Sequence, residues 1–267
     1  MHAEPTKLLR LILALLPFAV IVTAYLIASH VRLEANPSDK LTPSVSKMVE
    51  AVGEMALTKD KRTGRYLMLA DTLSSLRRIV IGLGAAAIVG LFLGMTMGLF
   101  PGMNSTLHPV VRFLSIIPPL AILPILFIVF GVGEVGKIVL IFIGSLFVIT
   151  RDIHEETRQL PREQIVKALT LGASQFQVLW QVVLPQIMPR LLITVRLCLG
   201  GAWLFLIASE AIASTDGLGY RIFLVRRYLA MDIIIPYVLW ITLIGLLMDT
   251  ALRLVVNWKY RWYVASQ

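Results

Sequence analysis

Residues 151–189 read RDIHEETRQLPREQIVKALTLGASQFQVLWQVVLPQIMP. In a chain otherwise dominated by apolar runs, this is the longest stretch with frequent charges and no apolar core long enough to cross a bilayer. Pro161 suits the first turn of a helix and Glu163 favours its positive end, so a helix is expected to begin there. Ile165, Ala168, Leu169 and Gly172 then fall at i, i+3, i+4 and i+7, which gives one apolar stripe. Gly172 can end that helix in the left-handed conformation. Ser174 and Gln177 form a capping-box pattern that starts a second helix over residues 175–184, with Pro185 expected to stop it. The result is a helix–turn–helix knob, too short to span. Its stripe suits either lipid headgroups or a groove in a partner protein, and the pattern leaves both open.

Working outward, 57% of the 267 residues are hydrophobic and 15% are charged, far from the roughly one quarter charged of soluble domains. The chain is therefore read as an all-α integral membrane protein. A formal charge of +9 raises nucleic acid as a partner. The basic residues are scattered between apolar runs, however, with no stripe or aromatic-interleaved patch, so nucleic acid is set aside. The one cysteine, Cys198, excludes an intrachain disulfide and a cysteine cage for a metal. His2, His30, His108 and His154 are far apart and give no local signature for zinc or for a nucleophile–base pair.

The spans follow from the charge-free runs. Residues 11–31 carry no Asp, Glu, Lys or Arg. At helical rise they cover about 31 Å, enough for the hydrocarbon core. Their apolar run is longer than a secretory leader's and lacks a small-residue cleavage pattern, so residues 1–31 are read as a retained anchor helix. Residues 32–69 are polar, with the mixed charge cluster Lys59, Asp60, Lys61, Arg62. Within them Val45, Met48, Val49, Val52, Met55 and Ala56 recur at helical spacing after the possible cap Ser44. That short helix suits the membrane surface or the side of a bundle. Residues 79–111 are free of charge for 33 positions, too many for one span, and split at Phe100-Pro101-Gly102-Met103-Asn104. The first half carries Gly82, Gly90, Gly94 and Gly98, the last three spaced by four, a smooth face for a close helix neighbour.

A helix expected from about residue 107 to 130 contains Pro109, Pro118, Pro119 and Pro124. The run Ile117-Pro118-Pro119-Leu120 must kink or break it. Broken backbone at membrane depth is tolerated only inside protein or beside a wet cavity, so Pro118 and Pro119 are candidates for the wall of a translocation path. A fourth span is expected around residues 138–150, extended by about a turn at each end, with a fifth over 191–213 and a sixth over 233–256. Asp216-Gly217-Leu218-Gly219 marks the turn region after the fifth. The basic, aromatic residues 258–263 suit a membrane interface. Six spans place both termini on the same side as residues 151–189, but Lys and Arg are nearly balanced between the two sides and do not orient the chain.

Residues 131–138, GVGEVGKI, match the spacing of both G-x-G-x-x-G and G-x-x-x-x-G-K. Ile138 stands where a phosphate loop needs Ser or Thr for magnesium, and the stretch joins two apolar runs instead of a strand and a helix. It is read as an interhelical turn, with no nucleotide site in the chain.

Several of these residues together resemble a known family. The spacing Ala168-x3-Gly172-x9-Val182-Val183-Leu184-Pro185 is similar to the "EAA" loop of bacterial ABC importer permeases. The resemblance extends to Ser75-Leu76-Arg77-Arg78, to Ile117-Pro118-Pro119-Leu120-Ala121 and to Gly131-Val132-Gly133-Glu134. It also takes in Ala202-Trp203, Ser209-Glu210 and Gly217-Leu218-Gly219-Tyr220. The set resembles the nitrate/taurine/alkanesulfonate branch and covers about residues 70–260. Val166 and Lys167 stand where that family usually has Glu and Ala, and Glu163 lies one turn earlier.

The resemblance implies a type I ABC importer permease fold of six transmembrane helices in the bacterial inner membrane. The core domain would be residues 70–257, with a cytoplasmic coupling loop at 151–189, an extracytoplasmic segment at 32–69 and a cytoplasmic tail at 258–267. It further implies two cytoplasmic ATPase subunits, a second permease copy or paralogue, and an extracytoplasmic substrate-binding protein. ATP and magnesium would bind on the ATPase, and this chain would hold no cofactor. Glu163, Val166, Lys167, Ala168, Leu169, Gly172, Ala173, Leu184 and Pro185 become the expected ATPase-coupling residues.

Charges within spans are costly and usually paired or functional. Arg196 near the inner start of the fifth span, Trp203 within it and Glu210 at its outer end join Pro118 and Pro119 as candidates for the path. For Arg196, a helix-end role reaching the headgroups fits the pattern equally well. Asp249 and Arg253, at i and i+4, are expected to pair. The substrate expected from the resemblance is a small anionic or nitrogen- or sulfur-containing solute. A self-sufficient secondary transporter or channel is the alternative. It would carry span repeats and midplane coupling acids, which are not evident here. A membrane enzyme fits least, for want of a catalytic constellation.

Overall fold

Hydrocarbon offers no partner for backbone N–H and C=O groups, so a chain this apolar is expected to close its hydrogen bonds within helices. In the computed structural model, which describes residues 6–37, 39–60 and 64–265, the only strand-like feature among the described residues is an isolated bridge between Lys59 and Tyr66. His2, and Lys61 and Arg62 of the charge cluster, lie outside the described residues. The helices are α1 (Lys7–Ala35), α2 (Val45–Leu57), α3 (Leu67–Leu99), α4 (Pro101–Leu114), α5 (Leu123–Phe130), α6 (Glu134–Gln159), α7 (Arg162–Thr170), α8 (Gln175–Gln177), α9 (Leu184–Ile212), α10 (Leu218–Arg226), α11 (Met231–Lys259) and α12 (Arg261–Ala265).

The chain divides into two compact units. The first comprises residues 1–69 and 222–239. Here α1 is a long apolar helix whose side chains are almost all exposed, as a lipid-facing helix requires. Tyr25 and Ser29 on α1 donate to the carbonyls of Pro43 (2.7 Å) and Thr42 (3.0 Å), which ties the lead-in of α2 against it. The Ser44 hydroxyl caps α2 by accepting from the Lys47 amide, as its position suggested.

The second unit comprises residues 70–221 and 240–267. The glycine stripe of α3 meets α6 there. A Cβ on Gly90 would lie 2.8 Å from Ile149 Cγ2, one on Gly94 2.7 Å from Ile153 Cβ, and one on Gly98 would run into Thr157. Spacing by four on both helices brings the backbones into direct contact. On another face of α6, Gly144 receives the Phe205 ring of α9. Leu123, Leu126 and Leu140 bury a small apolar core with Phe127, Ile143 and Phe205 packed around it.

Among the described residues, four helices can cross a membrane by length and apolarity: residues 8–35 of α1, α3, the continuous helix Gln175–Ile212, and α11. A fifth span arises if Pro101–Leu114 and Pro119–Phe130, bent by 80°, count as one. The remaining expected span is the central part of α6. It does not qualify because every 18-residue stretch of α6 holds more than two charged residues; α6 runs nine residues past Thr150, to Gln159, instead of a single turn. The first part of the charged 151–189 stretch is therefore the end of α6. The next span also differs from expectation in beginning at Pro101, so the 100–104 turn is tight and Pro109 is accommodated inside α4.

Candidate functional site

The projecting segment is built as two short arms. Pro161 precedes α7, and Glu163 lies in its first turn. The helix ends at Thr170, and Gly172 turns the chain with φ +87°. That region is open to glycine and strained for most side chains. Ser174 then opens α8 with a complete capping box: its hydroxyl accepts from the Gln177 amide at 3.3 Å, and the Gln177 side chain accepts from the Ser174 amide at 2.7 Å. Of the residues predicted for coupling, Glu163, Val166, Lys167, Leu169, Gly172 and Pro185 are exposed, while Ala168, Ala173 and Leu184 are half-buried. Leu171, 88% exposed, and Phe176, 69% exposed, extend this apolar surface. No spacing rule singled them out, because Leu171 belongs to the turn and Phe176 to the short α8, not to the stripe.

Pro185 does not stop the second arm. Residues Val178–Val183 are π-helical and lead straight into α9, so Gln175–Ile212 is one unbroken helix with Pro185 in the first turn after the π segment. A proline lacks an N–H and crowds the carbonyl four residues back. The wider π turn accommodates that residue without a break. The arm is thus rigidly continuous with a membrane span. At its foot Arg190 makes a two-pronged pair with Asp152 of α6 (2.8 and 2.5 Å), and Thr194 also donates to that carboxylate.

The proline pair breaks the third expected span as its chemistry requires. After α4 ends, Pro118 is extended and Pro119–Ile122 forms a single 3-10 turn before α5. A cavity of about 450 Å³ opens beside this break, with Pro119 and Ile122 on one wall, Phe147 and Arg151 of α6 on another, and Phe205 of α9. Pro119 is the one residue predicted for the path that lines it.

The other three take different places. Trp203 is buried in α9, and its indole N–H has no hydrogen-bond partner among the described residues. Arg196 Nε lies 2.8 Å from Asp249 Oδ1. The expected pairing of Asp249 with Arg253 is therefore replaced by a pair between two spans, Arg196 of α9 with Asp249 of α11. Glu210 is fully buried in an ionic cluster at the end of the bundle opposite the projecting arms.

That cluster is the main feature the sequence reading did not assemble. Arg78 of α3, 1% exposed, donates to Glu210 Oε1 at 2.6 Å, to Glu134 at 2.6 and 2.7 Å, and to the Asp216 side chain. Ser75 donates to Glu210 Oε1 at 2.8 Å, and the Gly219 amide donates to Glu210 Oε2 at 2.8 Å. Lys137 bridges Glu134 (3.0 Å) and Ser214 (2.9 Å), and Arg221 pairs with Asp71 at 2.8 Å. Gly217, at φ +114°, brings the turn so close that a Cβ there would lie 2.5 Å from the Glu210 carboxyl. At the first residue of α6, ahead of its apolar centre, hydrogen bonds from Arg78 hold the Glu134 carboxyl down at about 2. Burial pushes the other way, and Lys137 adds to the lowering. The available signal was that motifs 75–78, 131–134, 209–210 and 217–220 each carry one of these groups; only the fold shows that they meet.

A helical bundle with a broken span, a buried ionic clamp at one end and a rigid projecting hairpin at the other has the build of a multi-pass membrane transport subunit. Residues 86–264 match the family described as the binding-protein-dependent transport system inner membrane component, and the chain belongs to that family. It is 35% identical over 180 residues to the taurine transport system permease protein TauC of Escherichia coli (strain K12). That alignment covers 67% of this chain and 66% of the relative. It is 34% identical over 197 residues to the bicarbonate transport system permease protein CmpB of Synechococcus elongatus, covering 73% of this chain and 69% of the relative. Among solved structures, a chain in the inward facing conformations of the MetNI methionine ABC transporter superposes with a TM-score of 0.62 at 18% identity, over 72% of this chain and 95% of that one. That likeness speaks to the fold alone, which is the type I permease fold. Membership makes this chain a multi-pass inner-membrane transport component and not an enzyme, in a family that works with an ATPase and a substrate-binding protein.

Proposed function

We propose that this chain is the permease subunit of an ATP-driven importer for a small anionic or nitrogen- or sulfur-containing solute. The arms α7 and α8 receive the stroke of a cytoplasmic ATPase. Two ATPases serve two permease chains, the second being a copy or a paralogue, and an extracytoplasmic binding protein delivers the solute. ATP and magnesium bind on the ATPase, and this chain holds no cofactor. The observation that carries the reading is the exposed apolar surface of Val166, Leu169, Leu171 and Phe176 on a hairpin that continues without a break into α9. An apolar stripe on a short rigid helix suits a groove in a partner. The continuous π-to-α segment converts a push on the hairpin into movement of a span. Val166 and Lys167 replace the family's usual pair, so the contact rests on apolar packing and on Glu163 at the helix start.

Co-purification tests this. The chain expressed with ATPase candidates encoded beside it is expected to retain one of them through detergent purification, and proteoliposomes of the complex take up solute only with ATP inside. Uptake that persists without an ATPase contradicts the proposal.

A further inference from the structure

The cavity beside the broken span has apolar walls and a single charge. Pro119 and Ile122 border it on the 3-10 turn, Phe147 on α6 and Phe205 on α9, while Arg151 supplies the charge. The walls are fixed by close packing, since the Phe205 ring fills the space where Gly144 has no side chain. Four buried or half-buried arginines of this unit are spent within the protein: Arg78 faces Glu134, Glu210 and Asp216, Arg190 faces Asp152, Arg196 faces Asp249, and Arg221 faces Asp71. Arg151 is exposed, and no carboxylate among the described residues pairs with it. Arg196, the sequence's candidate for meeting an anion, is thus neutralised, while Arg151 is the charged residue that lines the cavity.

We infer that this cavity holds the transported solute during passage, and that the solute is a small organic anion whose charged end meets Arg151 while its apolar body lies against Phe147 and Phe205. The inference rests on the permease reading above. A volume of about 450 Å³ falls within the range of small-molecule sites, which combine apolar walls with few polar anchors. A fully hydrated inorganic oxyanion would find one charged donor and a desolvating wall, so the walls select for carbon beside the charge.

Thiol accessibility tests it without requiring the solute's identity. Ser115 also lines the cavity. Ser115→Cys is introduced into the full chain in a Cys198→Ala background, purified with its ATPase and placed in phosphatidylcholine nanodiscs. The cysteine thiolate attacks a methanethiosulfonate reagent, forming a mixed disulfide and releasing methanesulfinate. An anionic ethylsulfonate reagent and a cationic ethyltrimethylammonium reagent are compared. Arg151→Gln is expected to lower the anion-to-cation rate ratio by about fivefold or more, as the loss of one nearby charge in a partly wet site requires, and Arg151→Lys to preserve it. 1-Butanesulfonate is expected to protect the thiol at concentrations where sulfate and butylammonium do not. A ratio unmoved by Arg151→Gln, or protection by sulfate equal to that by butanesulfonate, overturns the inference. Protection that appears only when phosphatidylglycerol is added makes the occupant a lipid headgroup and overturns it as well. A thiol inaccessible in the assembled complex shows that another chain covers the cavity, with the same consequence. ATP-dependent uptake alongside any of these results leaves the permease reading intact and removes only the cavity's role.

Discussion

At the scale of single residues, the consequential group is Arg78. Three carboxylates around one guanidinium offset the cost of burying it, and Glu210, with no exposed surface, depends on Arg78 in return. Removing one partner of such a pair leaves a buried charge uncompensated and costs about 3–5 kcal/mol. Arg78→Ala is therefore expected to lower the unfolding temperature in detergent far more than Glu134→Gln, whose side chain is 57% exposed. Equal shifts would contradict the buried pair. The Glu134 carboxyl, held at about 2 against an ordinary 4.5, also sets a direction with pH. A depressed folded value contributes stability that is complete above the ordinary value and is lost as pH falls through the folded one. Unfolding temperature should fall from about pH 4.5 toward 2, and Glu134→Gln should flatten that part of the profile. These residues were individually readable in the sequence but not as a cluster. Arg78 is 56 positions from Glu134, 132 from Glu210 and 138 from Asp216, and no periodicity reports a contact at such separations. The Arg196–Asp249 pair was missed for the same reason, with the local i, i+4 rule pointing to Arg253 instead.

At the scale of elements, the readings that depended on backbone rules correspond closely to the structure. The glycine stripe of α3, the chain break after Pro118, the left-handed Gly172 and the Ser174 box are each set by a local steric or hydrogen-bonding requirement that one residue type meets. Gly94→Val is expected to disrupt the α3–α6 contact, because its Cβ alone would sit 2.7 Å from Ile153. Gly84→Ala, which meets nothing within 4 Å, is the control. Size-exclusion profiles and thermal unfolding in detergent should separate the two, and similar behaviour would mean that the stripe is not the packing face. The extent of α6 and the passage of a helix through Pro185 were not legible. Both depend on neighbours: Asp152 is fixed by Arg190 and Thr194 from α9, and whether a proline ends a helix or follows a π turn is decided by the packing of the surrounding turns.

At the scale of the whole molecule, an exposed hairpin runs without a break into a span. Fold class and family were legible because composition and motif spacing survive without coordinates, while the path was only partly so, since cavities are made by several elements at once. On the proposed function, the left-handed turn at Gly172 sets the hairpin that couples ATP hydrolysis to movement. A Cβ at Gly172 meets nothing within 4 Å, so any effect of substitution there is one of backbone conformation at φ +87°. Valine is strongly disfavoured in that region and asparagine is tolerated. The direct measurement is solute transported per ATP hydrolysed in proteoliposomes of the complete complex. Gly172→Val is expected to lower that ratio about tenfold or more, the effect of roughly 1.4 kcal/mol or more of backbone strain, while the complex still purifies intact, and Gly172→Asn is expected to stay near wild type. An unchanged ratio in an intact Gly172→Val complex would contradict the account.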